Sequence, residues 1–196
     1  LPKGFEYLDK ELLSTSSAVI LIALHSFSDG THSFEYEGFD SLFHYYSSAI
    51  KHAAMKASEV VIIRPHPYPP SSALSRKAGI DNQTFQRLLA TRPEGPHAIY
   101  IDRGVAPVNA VLRGSRPVLV ITCHGTIAED AALSRQPFIA IQSAPYAGIL
   151  PGNFAKNEQE LAAQIRTGAV ELRSRLDRDL TVSAQYIATR WNLTDS

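Results

Sequence analysis

Cysteine is nearly absent. The 196-residue chain has one, Cys123, which excludes an internal disulfide framework and a multi-cysteine zinc site. Neither sign of charge is in excess, with 19 Lys+Arg against 19 Asp+Glu. That balance argues against a generic nucleic-acid binder, which needs a basic surface. No apolar run reaches the ~18 residues of a membrane-spanning helix. No charged segment followed by an apolar stretch opens the chain, so a secretory leader is not expected in it. Internal repeats and low-complexity tracts are missing too. What remains is one domain's length of sequence, 44% apolar and 19% charged. It is long enough to bury a full core without staples and suits a reducing, cytoplasmic setting. All 7 histidines fall between His25 and His124. The first residue is Leu1 rather than Met, so the chain is expected to be part of a longer protein.

The apolar runs are short, continuous and rich in Val and Ile: 17–24, 59–64, 97–102, 117–122 and 137–142. Runs of this kind predict strands covered on both faces. Helical periodicity alternates with them, at 39–57, 82–90, 107–112, 126–133, 158–175 and 180–191. The alternation predicts a Rossmann-like, three-layer α/β/α domain with a parallel sheet of about five strands and right-handed crossovers. Residues 1–16 read as a lead-in segment and 157–196 as carboxyl-terminal helices of one domain, 1–196.

Two loops look chemically equipped. Residues 25–38 hold His25, Asp29, His32, Glu35 and Glu37 among small residues. Residues 66–80 open on a run crowded with Pro67, Pro69 and Pro70. Each follows the carboxyl end of a predicted strand, where ligands bind in open α/β sheets.

Three constellations stand at three strand ends. In His25-Ser-Phe-Ser28-Asp29-Gly-Thr-His32, small residues let a ligand approach the backbone, and the His and Asp groups exchange protons near neutrality. In Arg64-Pro65-His66-Pro67, two prolines hold His66 in place and Arg64 adds planar donors suited to phosphate. In Thr122-Cys-His124-Gly125-Thr126-Ile-Ala-Glu129-Asp130, Thr126 and Glu129 have capping-box spacing, and a helix start attracts phosphate. Glu129 or Asp130 would then reach ribose hydroxyls. A polar turn, a solvated Arg and a plain helix cap are the plainer readings of the three. Loops after neighbouring parallel strands meet at one edge, so the argument is their convergence. His44 and His52 read as surface residues of a helix, and His97 as structural. Cys123 reads as a small buried hydrophobe, because neighbours on an extended strand point to opposite faces and would keep it from His124.

Taken together, His25-Ser-Phe-Ser-Asp29 with His32, Arg64-Pro-His-Pro67, His124-Gly-Thr126 with Glu129, and Gln136-Pro137 resemble a known pattern. It is the carboxyl-terminal, donor-binding half of GT-B glycosyltransferases of bacterial capsule and surface polysaccharide synthesis, Kdo transferases and polysialyltransferases among them. Gln136 stands where the family usually has Gly, and Ser143-Ala-Pro-Tyr146 also fits. The resemblance spans about 19–146. It implies a nucleotide-sugar donor, with a CMP-linked sugar such as CMP-Kdo favoured, and a glycan or glycolipid acceptor. It implies donor and phosphate binding by His25, Ser28, Arg64, His66, Pro67, His124, Gly125, Thr126 and Glu129, and an acid/base role for Asp29 or His32. No metal ligand and no cofactor beyond the nucleotide sugar are assigned. One half of such an enzyme is not expected to turn over alone. The cytoplasm, with the full-length protein at the inner membrane face, is the implied location. Two other chemistries fit the same residues: a nucleotide-sugar epimerase or other GT-B-type enzyme, and a metal-dependent hydrolase using His25, Asp29, His32, His66 and His124. A third possibility is a binding module that only senses nucleotide.

Overall fold

The computed structural model describes residues 5–7, 18–27, 36, 38–56, 59–66, 75–92, 99–101, 111–113, 116–150 and 152–176. The elements run β1 (Phe5–Tyr7), β2 (Val19–Ala23), α1 (Leu42–Ala54), β3 (Val60–Arg64), α2 (Ser75–Ala90), β4 (Ile99–Ile101), β5 (Val118–Ile121), α3 (Ile127–Leu133), β6 (Phe138–Ile141), β7 (Asn153–Ala155) and α4 (Glu158–Leu176). The strands form one seven-stranded sheet in the order β1-β4-β3-β2-β5-β6-β7. Every pairing is parallel. The domain is therefore the expected Rossmann-like α/β layer.

Continuous Val and Ile runs make the centre of this sheet because both faces are covered. Every residue of β2, β5 and β6 is buried. Each such Val, Leu or Ile contributes about 1.5–3 kcal/mol relative to exposure. The five expected strands are all present, and two short edge strands, β1 and β7, extend the sheet to seven. β1 lies in what the sequence presents as a lead-in, and β7 in what it presents as a loop. Three-residue strands show no period to read. α2 also begins at Ser75, inside the segment expected to be loop up to Ile80.

α1 starts at Ser41, whose hydroxyl accepts from His44 N at 3.1 Å. It buries Leu42, Tyr45, Tyr46, Ala49, Ile50 and Ala53 against β2 and α4. α3 ends in a Schellman turn: Arg135, at φ 54°, donates to Ala132 O, and Gln136 N donates to Ala131 O. Gln136 is buried and satisfied. Its Oε1 accepts from Val118 N at 2.9 Å, and its Nε2 donates to Leu112 O at 3.0 Å and Arg116 O at 3.2 Å. Gln136 thus ties β5 to the preceding segment. α4 is broken at Gly168 (φ 82°, ψ 166°), a conformation open essentially to glycine alone. The freed Ala169 N–H donates to the buried Glu59 carboxylate at 3.1 Å.

Chain order runs outward from β2 through β3 to β4 on one side, and from β5 through β6 to β7 on the other. The sheet's topological switch lies between β2 and β5. A crevice is expected there, beyond the carboxyl ends of the strands.

Candidate functional site

A cavity of about 400 Å³ opens at that position, lined by Ala23, Leu24 and His25 after β2, by Arg64, Pro65 and His66 after β3, and by residues 122 and 124–127 with Asp130 after β5. The three constellations separated in sequence share one wall. The His25 and His66 rings stand 5.8 Å apart, and Tyr36 lies 6.2 Å from the His124 ring. Four lining side chains are basic or imidazole and one, Asp130, is acidic. The cavity is therefore suited to an anion.

Buried tyrosine hydroxyls hold the loops that form its floor. Tyr46 Oη accepts from His25 N at 2.9 Å and from Cys123 N at 3.1 Å, and donates to Ala23 O at 3.0 Å. Tyr45 donates to Thr122 O at 2.8 Å, and Tyr146 to Gly125 O at 3.3 Å. Burial raises the pKa of all three phenols, so they act here as neutral hydroxyls. Gly125 is required by space: a Cβ there would stand 2.8 Å from Thr122 Oγ1.

His124 is 9% exposed. Burial, and secondarily the nearby His25, lowers its pKa from 6.5 to about 4. It is a neutral imidazole at pH 7, able to give or take one hydrogen bond but carrying no charge. Permanent charge on the cavity wall comes from Arg64.

Two local expectations are corrected. Cys123 Sγ lies 3.1 Å from His124 Nδ1. The strand ends at Ile121, so the alternation that would have separated the two side chains does not reach them. The pair is still not a nucleophile, because burial pushes the thiol well above its usual range while His124 loses basicity. Thr126 does not form the predicted capping box. Its backbone is already helical, and its side chain makes no cap bond. α3 is only 7 residues long, with Glu129 and Asp130 in its first turn, so its dipole adds little attraction for phosphate.

Of the residues singled out in sequence, His25, Arg64, His66, His124, Gly125 and Thr126 line the cavity. Glu129 does not. It acts on the Tyr146 phenol, and Asp130 takes the place on the wall. Ser28, Asp29, His32 and Pro67 lie outside the described residues, as does the helix expected at 180–191. Among the described residues, no group of three His, Cys, Asp or Glu is placed to hold a metal ion, and no helix is long and apolar enough to cross a membrane. The sequence pattern names Tyr146 only as part of the Ser143–Tyr146 segment and does not single out Tyr45 or Tyr46. Tyr46 reads there only as one more apolar position of a helix face.

No protein-family model matches the chain, and no curated protein is significantly similar to it. Solved structures are. HepE from Anabaena, in complex with UDP and glucose, matches with a TM-score of 0.55 at 14% identity, over 95% of this chain and 49% of that one. An α,α-trehalose-phosphate synthase (UDP-forming) from Burkholderia vietnamiensis matches at 0.57 and 10% identity, over 94% and 42%. The trehalose-6-phosphate synthase OtsA matches at 0.53 and 11% identity, over 94% and 44%. The chain thus spans about half the length of the structures it matches. Over that half, these structures share its fold, a parallel Rossmann-like α/β layer.

Proposed function

We propose that this chain is the nucleotide-sugar-binding domain of a glycosyltransferase. The observation that carries the reading is the cavity at the β2–β5 switch, where Arg64, His25, His66 and His124 face one carboxylate, Asp130. Sugar transfer leaves negative charge on the departing nucleoside phosphate. A preorganised cation and directed hydrogen-bond donors stabilise that charge where it develops. Arg64 offers a planar, permanently charged donor set, and His66, framed by Pro65, is held close beside it. His124, neutral at pH 7, supplies one directed hydrogen bond without competing for the charge. Asp130 is the group on this wall fitted to accept from ribose hydroxyls.

The donor is a pyrimidine nucleotide sugar. HepE was solved with UDP, which supports a UDP-linked donor. The pairing of His66-Pro67 with the Thr126 hydroxyl resembles CMP-sugar enzymes, which supports a CMP-linked donor such as CMP-Kdo. The acceptor, a glycan or glycolipid of a bacterial surface polysaccharide, would be bound by a second half, as would any attachment to the inner membrane face. Asp29 and His32 remain the proposed acid/base groups, as they follow the cavity residue His25 closely in sequence.

Thermal unfolding with UDP, CMP, CDP and GDP tests the reading. A ligand at 100 times its Kd stabilises by about 2.7 kcal/mol, or roughly 5–10 °C for a chain of this size. A shift with UDP or CMP exceeding that with GDP is expected. No shift with any of the four would overturn the assignment.

A further inference from the structure

We propose that Tyr46 is a positioning residue, its hydroxyl setting the gap between the ends of β2 and β5 and so the placement of His25 and His124 across the cavity. The two strands pair in register as far as Ile22 and Ile121. Beyond that point each turns to its outer neighbour: Leu24 N donates to Arg64 O, and Thr122 N to Ile139 O. The backbones part, and the ladder between them ends. Tyr46, fully buried, stands in the gap. Its oxygen accepts one N–H from each side, His25 and Cys123, and its proton goes to Ala23 O. Three backbone groups, two at the end of β2 and one beyond the end of β5, thus meet on one atom, which also bonds the Thr122 side chain. The residues bound on each side are the cavity histidine His25 and the neighbour of the cavity histidine His124. A core residue needs no such pairing, and a Phe of the same shape would leave two buried N–H groups without their acceptor.

The test compares Tyr46→Phe with Ile165→Val, a buried change on α4, in the full 196-residue chain. Readouts are amide exchange at His25 and Cys123, NMR titration of the His124 ring, and calorimetric binding of UDP and CMP. In Tyr46→Phe, both amides are expected to lose protection together, at least tenfold beyond the control. The His124 midpoint should rise from about 4 toward its ordinary value as the site loosens. Nucleotide affinity should fall at least tenfold. Loss of protection with an unchanged His124 midpoint would make Tyr46 mere packing and overturn the proposal. The affinity arm rests on the donor-binding reading and the His124 arm does not. If the wild-type chain binds neither nucleotide, that reading fails while the titration still decides the role of Tyr46. Should Tyr46→Phe fail to fold, 3,5-difluorotyrosine at position 46 keeps the shape and weakens the oxygen as acceptor. Both amides and the His124 midpoint must then move together, and a change confined to one loop overturns the proposal.

Discussion

The described histidines divide between two regions that use imidazole in opposite ways. At the carboxyl edge of the sheet, His25, His66 and His124 line a cavity with Arg64. On the α1–α4 face, His44 and His52 share the Glu158 carboxylate, and His44 Nδ1 also lies 3.4 Å from Asp40 Oδ2. His52 Nε2 lies 3.0 Å from Glu158 Oε1, His44 Nε2 lies 3.5 Å from Oε2, and Lys51 Nζ lies 3.1 Å from Oε1. On the second face the positive groups already have their anion, and the arrangement fastens two helices. On the first, the fold collects Arg64 and three imidazoles around open volume with one carboxylate among them. The residue type is the same in both; what differs is that one set lines open volume and the other closes on a carboxylate.

The largest test of that contrast is Arg64→Ala. A charge-assisted hydrogen bond to phosphate is worth about 1.5–3 kcal/mol, so nucleotide affinity should fall about ten- to a hundredfold by calorimetry. The urea midpoint should change little. A large loss of stability with affinity retained would make Arg64 another clasp and erase the distinction.

The second test is acid titration of stability, which reads His124. A buried imidazole held neutral binds its proton less readily than it does in the unfolded chain. Its contribution is therefore intact above the unfolded value of 6.5 and drains away as pH falls toward about 4. The expected loss between pH 7 and 4.5 is about 2 kcal/mol, measured by urea unfolding. His124→Asn should remove most of that slope. Bound nucleotide should raise the His124 midpoint, because a phosphate favours the imidazolium. A slope unchanged in His124→Asn would place the acid sensitivity elsewhere.

Much of the fold and of the cavity wall is legible in the amino-acid sequence. The five interior strands follow from apolar runs too short for anything but strands, and their parallel order follows from the intervening helices. That order alone brings His25, Arg64, His66 and His124 to one edge. Three features are not legible there, each for a physical reason. β1 and β7 pair through three residues apiece, where backbone geometry outweighs pattern. The Cys123–His124 contact arises because the strand stops two residues before Cys123, and alternation describes strands only. The roles of Tyr45, Tyr46 and Tyr146 rest on hydroxyls that reach backbone groups far away in sequence, and helical periodicity carries no information about where a phenol ends.

The smallest expected effect is the most discriminating, because α1 belongs to both regions: it carries His44 and His52 on one face and Tyr46 on another. Glu158 is held at a pKa of about 2, below the usual 4.5, by hydrogen bonds from Lys51 and then His52. A depressed carboxyl contributes stability above pH 4.5 and loses it as pH falls toward 2. Its side chain is 34% exposed, so solvent screening limits the contribution to about 0.5–1 kcal/mol. Glu158→Gln should lower Tm by roughly 1–4 °C at pH 7, and its deficit relative to wild type should close below pH 4.5, under the window that belongs to His124. Nucleotide affinity at pH 7 should be unchanged, because the carboxylate touches nothing on the cavity wall. If affinity falls instead, α1 transmits the clasp to Tyr46, and the two histidine settings are one coupled device rather than two independent uses of the same residue.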